Sequence, residues 1–395
     1  MSTYLAAILT GYVAVTLVAF RHSRAHGVIS LITLAFPTWV GMSLRPHLGW
    51  LGHAIPGFQL ITYAYFVTLV VRAGVRSWPL RIAMSLPAHW FVAATFLAFP
   101  WAIVAGLSLP PYGAWLPFVL CLGGLVQSLW TREEVVDLRL EPSVDAGPLR
   151  RFPEARGAPT DVAGRRPLRL IQISDPHLGP FMSVARLRRI CERAVAREPD
   201  LILLTGDLIT MESQDVALLS EALAPLTAYR GRVFACHGNH DHEARDVVER
   251  ALAKVGVTLL VDEAVAVATP AGPVQIVGVD FTWRDRRAHL RAVCEAHPRD
   301  PDALRLVLLH DPSAFQHLPE GEADLVLSGH THGGQVGLLS VGLPHTFISV
   351  ASTIPDHGPW ARGRDRLYVH RAQGHYGFPL RLGVPGEQSL MQVWR

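Results

Sequence analysis

The chain has 395 residues, 50% hydrophobic and 17% charged, with a formal net charge of +3. That is too apolar for an ordinary soluble enzyme. With no basic stripe interleaved with aromatics, nothing points to nucleic acid. The apolar excess is uneven: residues 1–130 contain no Asp, Glu or Lys and six arginines, so they carry +6 and leave −3 for the rest. Two bodies of different kinds share one chain.

Apolar runs at residues 4–20, 28–44, 55–71, 82–107 and 115–130 approach or exceed the length that crosses a bilayer as helix. We expect five spans. The first is an uncleaved anchor, because no basic stretch precedes it and no small-residue cleavage site follows. The 21–26 and 72–81 links are basic, whereas 110–113 is uncharged and 45–53 holds one arginine. Basic links lie inside, so five spans place the polar part on the cytoplasmic side of the cell membrane. Pro87, His89 and Trp90 in the fourth run, with His47 and His53, read as kinks and interface anchors rather than an ion path.

At Thr131 the composition turns polar. Residues 135–140 alternate like an edge strand, and 142–167, rich in Gly, Pro, Arg and Asp, read as an exposed loop. Strand-like runs at 168–174, 201–205, 233–236, 274–279, 306–309 and 325–328 then alternate with helix-like segments near 184–197, 215–229, 244–255 and 287–296. This beat means a layered α/β domain. Further strands at 366–370 and 390–394 imply a second sheet packed on the first. Cys121, Cys191, Cys236 and Cys294 are widely spaced and form no disulfide framework, which favours a reducing compartment.

The principal strands end in polar clusters: Ser174-Asp-Pro-His177, Thr205-Gly-Asp207, His237-Gly-Asn-His-Asp241, His310-Asp311 and Gly329-His-Thr-His332. Strand C-termini of an open α/β sheet converge along one edge, so five clusters make one site. Asp175, His177, Asp207, Asn239, His310, His330 and His332 supply carboxylate and amide oxygens and imidazole nitrogens. That set holds two divalent metals if one carboxylate bridges them, and without cysteine it suits manganese, iron or zinc. One such cluster alone is as readily a turn or a helix cap. Five in order, each at a strand end, are not.

Asp-x-His, Gly-Asp, Gly-Asn-His-Asp, His and Gly-His-x-His in this order resemble the calcineurin-like metallophosphoesterases. Residues 328–335, 367–371 and 379–383 are similar to a membrane-associated bacterial branch of that family. The resemblance covers residues 132–395. It implies an α/β fold, a β-sandwich flanked by helices in four layers (αββα), over a domain at 131–395 that follows a helical transmembrane region at 1–130. By motif position, Asp175, His177, Asp207 and His332 would bind the first metal, and Asp207, Asn239, His310 and His330 the second. His240 would contact the phosphate and assist the leaving group. Two cations ~4 Å apart lower the pKa of a shared water, align it behind phosphorus and screen the non-bridging oxygens, so no protein nucleophile is needed. Family members often carry an acid three positions after the Gly-Asp aspartate. Here that position is Thr210, and Asp241 is the substitute expected to orient His240. Asp280 reads equally as a helix cap or a site residue.

The expected activity is hydrolysis of a phosphoester or pyrophosphate bond by a metal-bridging hydroxide. A lipid-linked substrate fits best, because anchoring at the bilayer raises its effective concentration. The rivals are a phosphodiesterase for a soluble nucleotide and a non-catalytic, metal-stabilised membrane sensor. A coupled transporter needs polar residues inside the spans, and residues 1–130 offer no acid.

Overall fold

The computed structural model describes residues 3–71, 74–140, 149–151, 166–179, 181–210 and 214–394. The loop expected at 142–167 lies outside these apart from 149–151 and 166–167. The chain divides into two compact units, Met1–Leu129 with Tyr376–Leu382, and Trp130–His375 with Gly383–Arg395.

Among the described residues of the first unit, four helices are long and apolar enough to cross a membrane: Thr3–His22, His26–His47, Trp50–Val71 and Trp78–Leu97. Five spans are expected from the sequence, and proline explains the difference. The fourth helix stops at Leu97, and a new one, Phe99–Gly106, begins with Pro100 in its first turn, where a missing N–H costs nothing. Pro110 and Pro111 then delay the next helix, Leu116–Ser128. Its 13 residues rise only about 20 Å, short of a hydrocarbon core of roughly 30 Å. Val40, Leu44, Ile55, Phe91, Phe118 and Leu380 form the centre of this unit. Two buried polar side chains in it find internal partners: Trp90 Nε1 donates to Phe118 O at 3.0 Å and Gln59 Nε2 to Thr38 O at 3.2 Å, as an apolar surrounding favours.

Among its described residues, the second unit holds thirteen strands in two sheets. In chain order they are β1 Thr131–Arg139, β2 Arg150–Arg151, β3 Leu168–Ile173, β4 Leu201–Thr205, β5 Val233–Cys236, β6 Thr258–Leu259 and β7 Glu263–Thr269. Then follow β8 Gly272–Gly278, β9 Leu304–Leu308, β10 Leu325–Ser328, β11 Gly358–Arg362, β12 Asp365–Val369 and β13 Gly386–Trp394. One sheet is ordered β1-β13-β3-β4-β5-β6 and the other β2-β11-β12-β10-β9-β8-β7. β3, β4 and β5 are parallel neighbours, as are β8, β9 and β10.

Side-chain alternation explains why these strands read as unbroken apolar runs. Leu201 and Leu203 of β4, Leu304, Leu306 and Leu308 of β9, and Leu325 and Leu327 of β10 meet in one core with residues of both sheets. The intervening Val307 and Val326 pack on the opposite face with Leu290, Val293 and Phe315 from helical segments. Both faces of each central strand are therefore covered. Truncating a leucine buried here, such as Leu306, costs about 2–5 kcal/mol. On the outer side of the first sheet, the helix Val184–Ala196 buries Leu187, Ile190, Cys191 and Ala194 at helical spacing, and Ser183 caps it by accepting from Arg186 N at 3.2 Å. The result is helices, sheet, sheet, helices.

Candidate metal centre

Parallel pairing carries the ends of β3, β4 and β5 to one edge of their sheet and the ends of β9 and β10 to one edge of theirs. The turns leaving these strands are tight. Five of the seven expected ligands have left-handed backbone: Asp175 (φ 49°), His177 (47°), Asp207 (54°), His330 (66°) and His332 (53°). Each such non-glycine residue costs about 1–3 kcal/mol and persists only when the surrounding structure imposes it. Strain gathered on these residues marks a place shaped for something other than stability. Gly329 permits the closest approach, because a Cβ there would strike Ser174 Oγ and Asp175 Oδ2. In its absence His330 N donates to Asp175 Oδ1 at 2.9 Å.

The side chains meet in two groups. In the first, Asp175, His177 and His332 are all buried and bring one ligand atom each within 4.8 Å of one another. His332 Nε2 lies 3.2 Å from Asp175 Oδ1 and 3.2 Å from His177 Nε2. In the second, Asp207, His310 and the half-buried His330 bring their ligand atoms within the same distance of one another. His310 Nε2 lies 3.2 Å from Asp207 Oδ2 and 3.3 Å from His330 Nδ1. Asp207 Oδ2 is also 3.6 Å from His177 Nε2, so one carboxylate faces both groups. Asn239 sits in the turn after β5, and its Oδ1 is a buried acceptor with no hydrogen-bond partner among the described residues.

The electrostatics fit bound cations. Burial pushes the His177 imidazole down to about 3, leaving it neutral with a lone pair to offer. Burial alone would raise Asp175 and Asp207, but His332 and His310 beside the first, and His310 beside the second, hold both carboxyls well below the usual range. Burial would lower His310, yet Asp207 and Asp175 outweigh it and raise the ring to about 10. His310 Nδ1 donates to Thr205 O at 2.6 Å. This fixes the tautomer, so Nε2 faces Asp207 and is the nitrogen a cation would take by displacing its proton. Two buried carboxylates, imidazole nitrogens in mutual contact and an orphaned amide oxygen are a donor set that two divalent ions satisfy.

One expectation is corrected. Asp241 does not orient His240. Its buried carboxylate accepts from Asp207 N and Leu208 N at 2.8 Å and from Gly238 N at 2.9 Å, tying the turn after β4 to the turn after β5. Burial and the neighbouring Asp207 push this carboxyl up to about 7. The acid on His240 is Glu243, whose Oε1 lies 2.8 Å from Nδ1. The His240 ring centre is 5.3 Å from that of His177, and its backbone N donates to Asp207 Oδ1 at 2.8 Å. Thr210 Oγ1 instead donates to Leu178 O at 3.3 Å. Asp280 pairs with His242 at 2.9 Å and Arg245 at 3.2 Å.

Sequence reasoning also missed Phe281 and Trp283, whose rings lie 6.3 and 6.2 Å from that of His330. Trp283 is 65% exposed. The only signal for Glu243 was its i+3 spacing from His240 at the start of a helical turn. Phe281 and Trp283 carried a weaker one, their position just past the strand-like run at 274–279.

The sequence profile of the calcineurin-like phosphoesterases matches residues 168–334. Phosphodiesterase YaeI of Escherichia coli is 31% identical over 234 residues, which are 58% of this chain and 82% of that protein. The uncharacterized metallophosphoesterase YkoQ of Bacillus subtilis is 30% identical over 242 residues, 59% of this chain and 86% of YkoQ. A transmembrane protein with metallophosphoesterase domain from Danio rerio is 28% identical over 287 residues, 68% of this chain and 59% of the fish protein. With the ordered strand-end motifs, the two-group site and relatives matched over most of their length, this chain belongs to the calcineurin-like phosphoesterase family and is a hydrolase.

Proposed function

We propose that the protein is a membrane-anchored, two-metal phosphohydrolase that cleaves a phosphoester or pyrophosphate bond in a lipid-linked substrate. The observation that carries this reading is the position of Asp207 Oδ2, 3.6 Å from His177 Nε2 and 3.2 Å from His310 Nε2, where a single carboxylate would serve two cations. Asp175, His177, Asp207 and His332 would hold one ion, and Asp207, Asn239, His310 and His330 the other, with manganese, iron or zinc suited to the donors. When bound, the pair supplies a water of lowered pKa and screens the charge on the phosphate. His240 donates a proton to the leaving oxygen, and Glu243 fixes its ring by holding Nδ1. Asp241 keeps the two ligand-bearing turns in register through its three backbone contacts.

The four membrane-length helices support a lipid-linked substrate, because an anchored domain meets a bilayer-bound molecule at high effective concentration. The basic links support a catalytic unit on the cytoplasmic face, with Leu116–Ser128 and its apolar flanks completing a fifth crossing. The test uses the full-length protein, manganese-loaded and reconstituted in vesicles, with an aryl phosphodiester and a lipid pyrophosphate as substrates and Asp207→Asn as control. Turnover of the lipid substrate that disappears in the control supports the reading. Unchanged turnover in the control overturns the two-metal assignment.

A second reading, a phosphodiesterase for a soluble nucleotide, draws on Trp283. Its exposed ring beside His330 offers a face on which a base can stack. Faster turnover of a soluble nucleotide diester than of the lipid substrate favours this reading.

A further inference from the structure

Just beyond His332 the chain makes an excursion, residues 336–355, that contains no Asp, Glu, Lys or Arg. A stretch of that composition ordinarily goes to a core. Here Leu338 (47% exposed), Val341 (70%), Leu343 (48%), Phe347 (61%), Val350 (79%) and Ile354 (39%) face outward. Among the described residues of this unit, the other exposed large apolar side chains are Trp130, Val135 and Trp283. The apolar exposure is concentrated in one segment.

The excursion is ordered at its base. Leu338 N donates to His345 O and Phe347 N to Val336 O, both at 2.8 Å. Thr346 and Ser349 form a capping box that opens the short helix Phe347–Ala351. Thr346 Oγ1 also donates to Asp356 Oδ2 at 2.5 Å, and Arg151 holds Oδ1 of the same carboxylate at 2.5 Å. A hydrogen-bonded base thus presents an apolar tip.

Soluble proteins rarely leave such a patch uncovered. A protein partner is a poor fit, because protein interfaces are ringed by a polar, charged rim and this segment has no charged side chain of its own. Its polar groups are the hydroxyls of Ser340, Thr346, Ser349, Ser352 and Thr353 and the ring of His345. Apolar tips with scattered hydroxyls suit the boundary between headgroups and acyl chains. Every copy of the protein also carries four helices of membrane-crossing length and apolarity.

We propose that residues 336–355 dip into the lipid bilayer and bring the loop of His330 and His332 to the membrane surface. The inference concerns an interaction surface and does not depend on which phosphoester is cut.

All four native cysteines are buried, so one introduced cysteine reports on one place. Full-length Val341→Cys, Val350→Cys and, as reference, Arg250→Cys are labelled with an environment-sensitive fluorophore in phosphatidylcholine and phosphatidylglycerol vesicles. Lipids spin-labelled near the headgroup are then added. The expected result is blue-shifted emission and loss of fluorescence at 341 and 350 but not at 250. The proposal is overturned if 341 and 350 behave like 250. It is equally overturned if their emission shifts with protein concentration and no quenching by lipid, which would show a second copy covering the patch. A probe on Phe347→Cys should lose its quenching when Val341→Asp and Val350→Asp are added. Retained quenching there would also contradict the proposal.

Discussion

His240 Nδ1 and Glu243 Oε1 stand 2.8 Å apart, so the acid on this imidazole comes from the following helical turn. Burial lowers the ring, but Glu243 and Asp207 outweigh it and the net shift is upward. As a proton donor His240 works while protonated, and activity falls as pH rises through its raised pKa. Glu243→Gln removes part of that support, so the alkaline limb of the kcat profile should move to lower pH. His240→Ala should lower kcat by roughly 10²-fold with metal content intact, and Glu243→Gln by about tenfold. A collapse of metal content in either variant would assign His240 to the metals instead.

The two groups predict separable metal losses. His332→Ala should reduce manganese content by one equivalent and His310→Ala by the other, whereas Asp207→Asn should weaken both, all read by elemental analysis. A bound ion at a hundred times its dissociation constant stabilises by about 2.7 kcal/mol. Chelation should therefore lower the thermal midpoint of the native protein clearly and that of Asp207→Asn hardly at all. Equal drops would argue against Asp207 as the shared ligand.

Backbone strain at the site gives a third prediction. Left-handed His330 costs about 1–3 kcal/mol that glycine would not, so chelated His330→Gly should be no less stable than the chelated parent, although it binds less metal. Gly329→Ala should do the reverse, since its Cβ strikes Asp175 Oδ2. It should destabilise by roughly 1–3 kcal/mol and abolish turnover. Urea unfolding of the two variants in chelator settles both.

His289 Nε2 lies 2.8 Å from Asp262 Oδ2, and neither residue is one of the proposed metal ligands. The hydrogen bond to Asp262 raises His289, and the same bond together with Asp280 N lowers Asp262 against the upward pull of burial. The contribution of His289 is complete below its unfolded pKa and is lost as pH rises through the raised folded value. That of Asp262 is complete above the ordinary carboxylate range and is lost as pH falls through its depressed value. Asp262→Asn should flatten the alkaline step in a plot of thermal midpoint against pH for the chelated protein. An unaltered step would assign it to another group.

Asp175, Asp207 and His310 were legible because each closes a run so apolar that only a covered strand accommodates it, and covered parallel strands end together. Helix Val184–Ala196 was legible from its spacing. Glu243 was not, because its role depends on how one helical turn folds back over a loop. β7 was missed because Glu263–Thr269 alternates valine with alanine and is largely uncovered. The short length of the fifth apolar helix is not legible from apolarity, because Pro110 and Pro111, which delay its start to Leu116, read only as a link. The 336–355 excursion is illegible because apolar letters read as interior, whereas in the fold they face outward.

Leu380, fully buried, packs in the helical unit although it lies fifteen residues from the chain's end. Beside it, Phe378 meets Phe96 with ring centres 5.5 Å apart, and Arg381 N donates to Ser128 Oγ at 2.7 Å. The polypeptide thus passes from one unit to the other three times, near residues 129, 375 and 382. Severing the bond between Leu129 and Trp130 would not release a finished enzyme. It would leave a fragment with Phe378 and Leu380 stripped of their neighbours, and such a fragment should precipitate or be degraded.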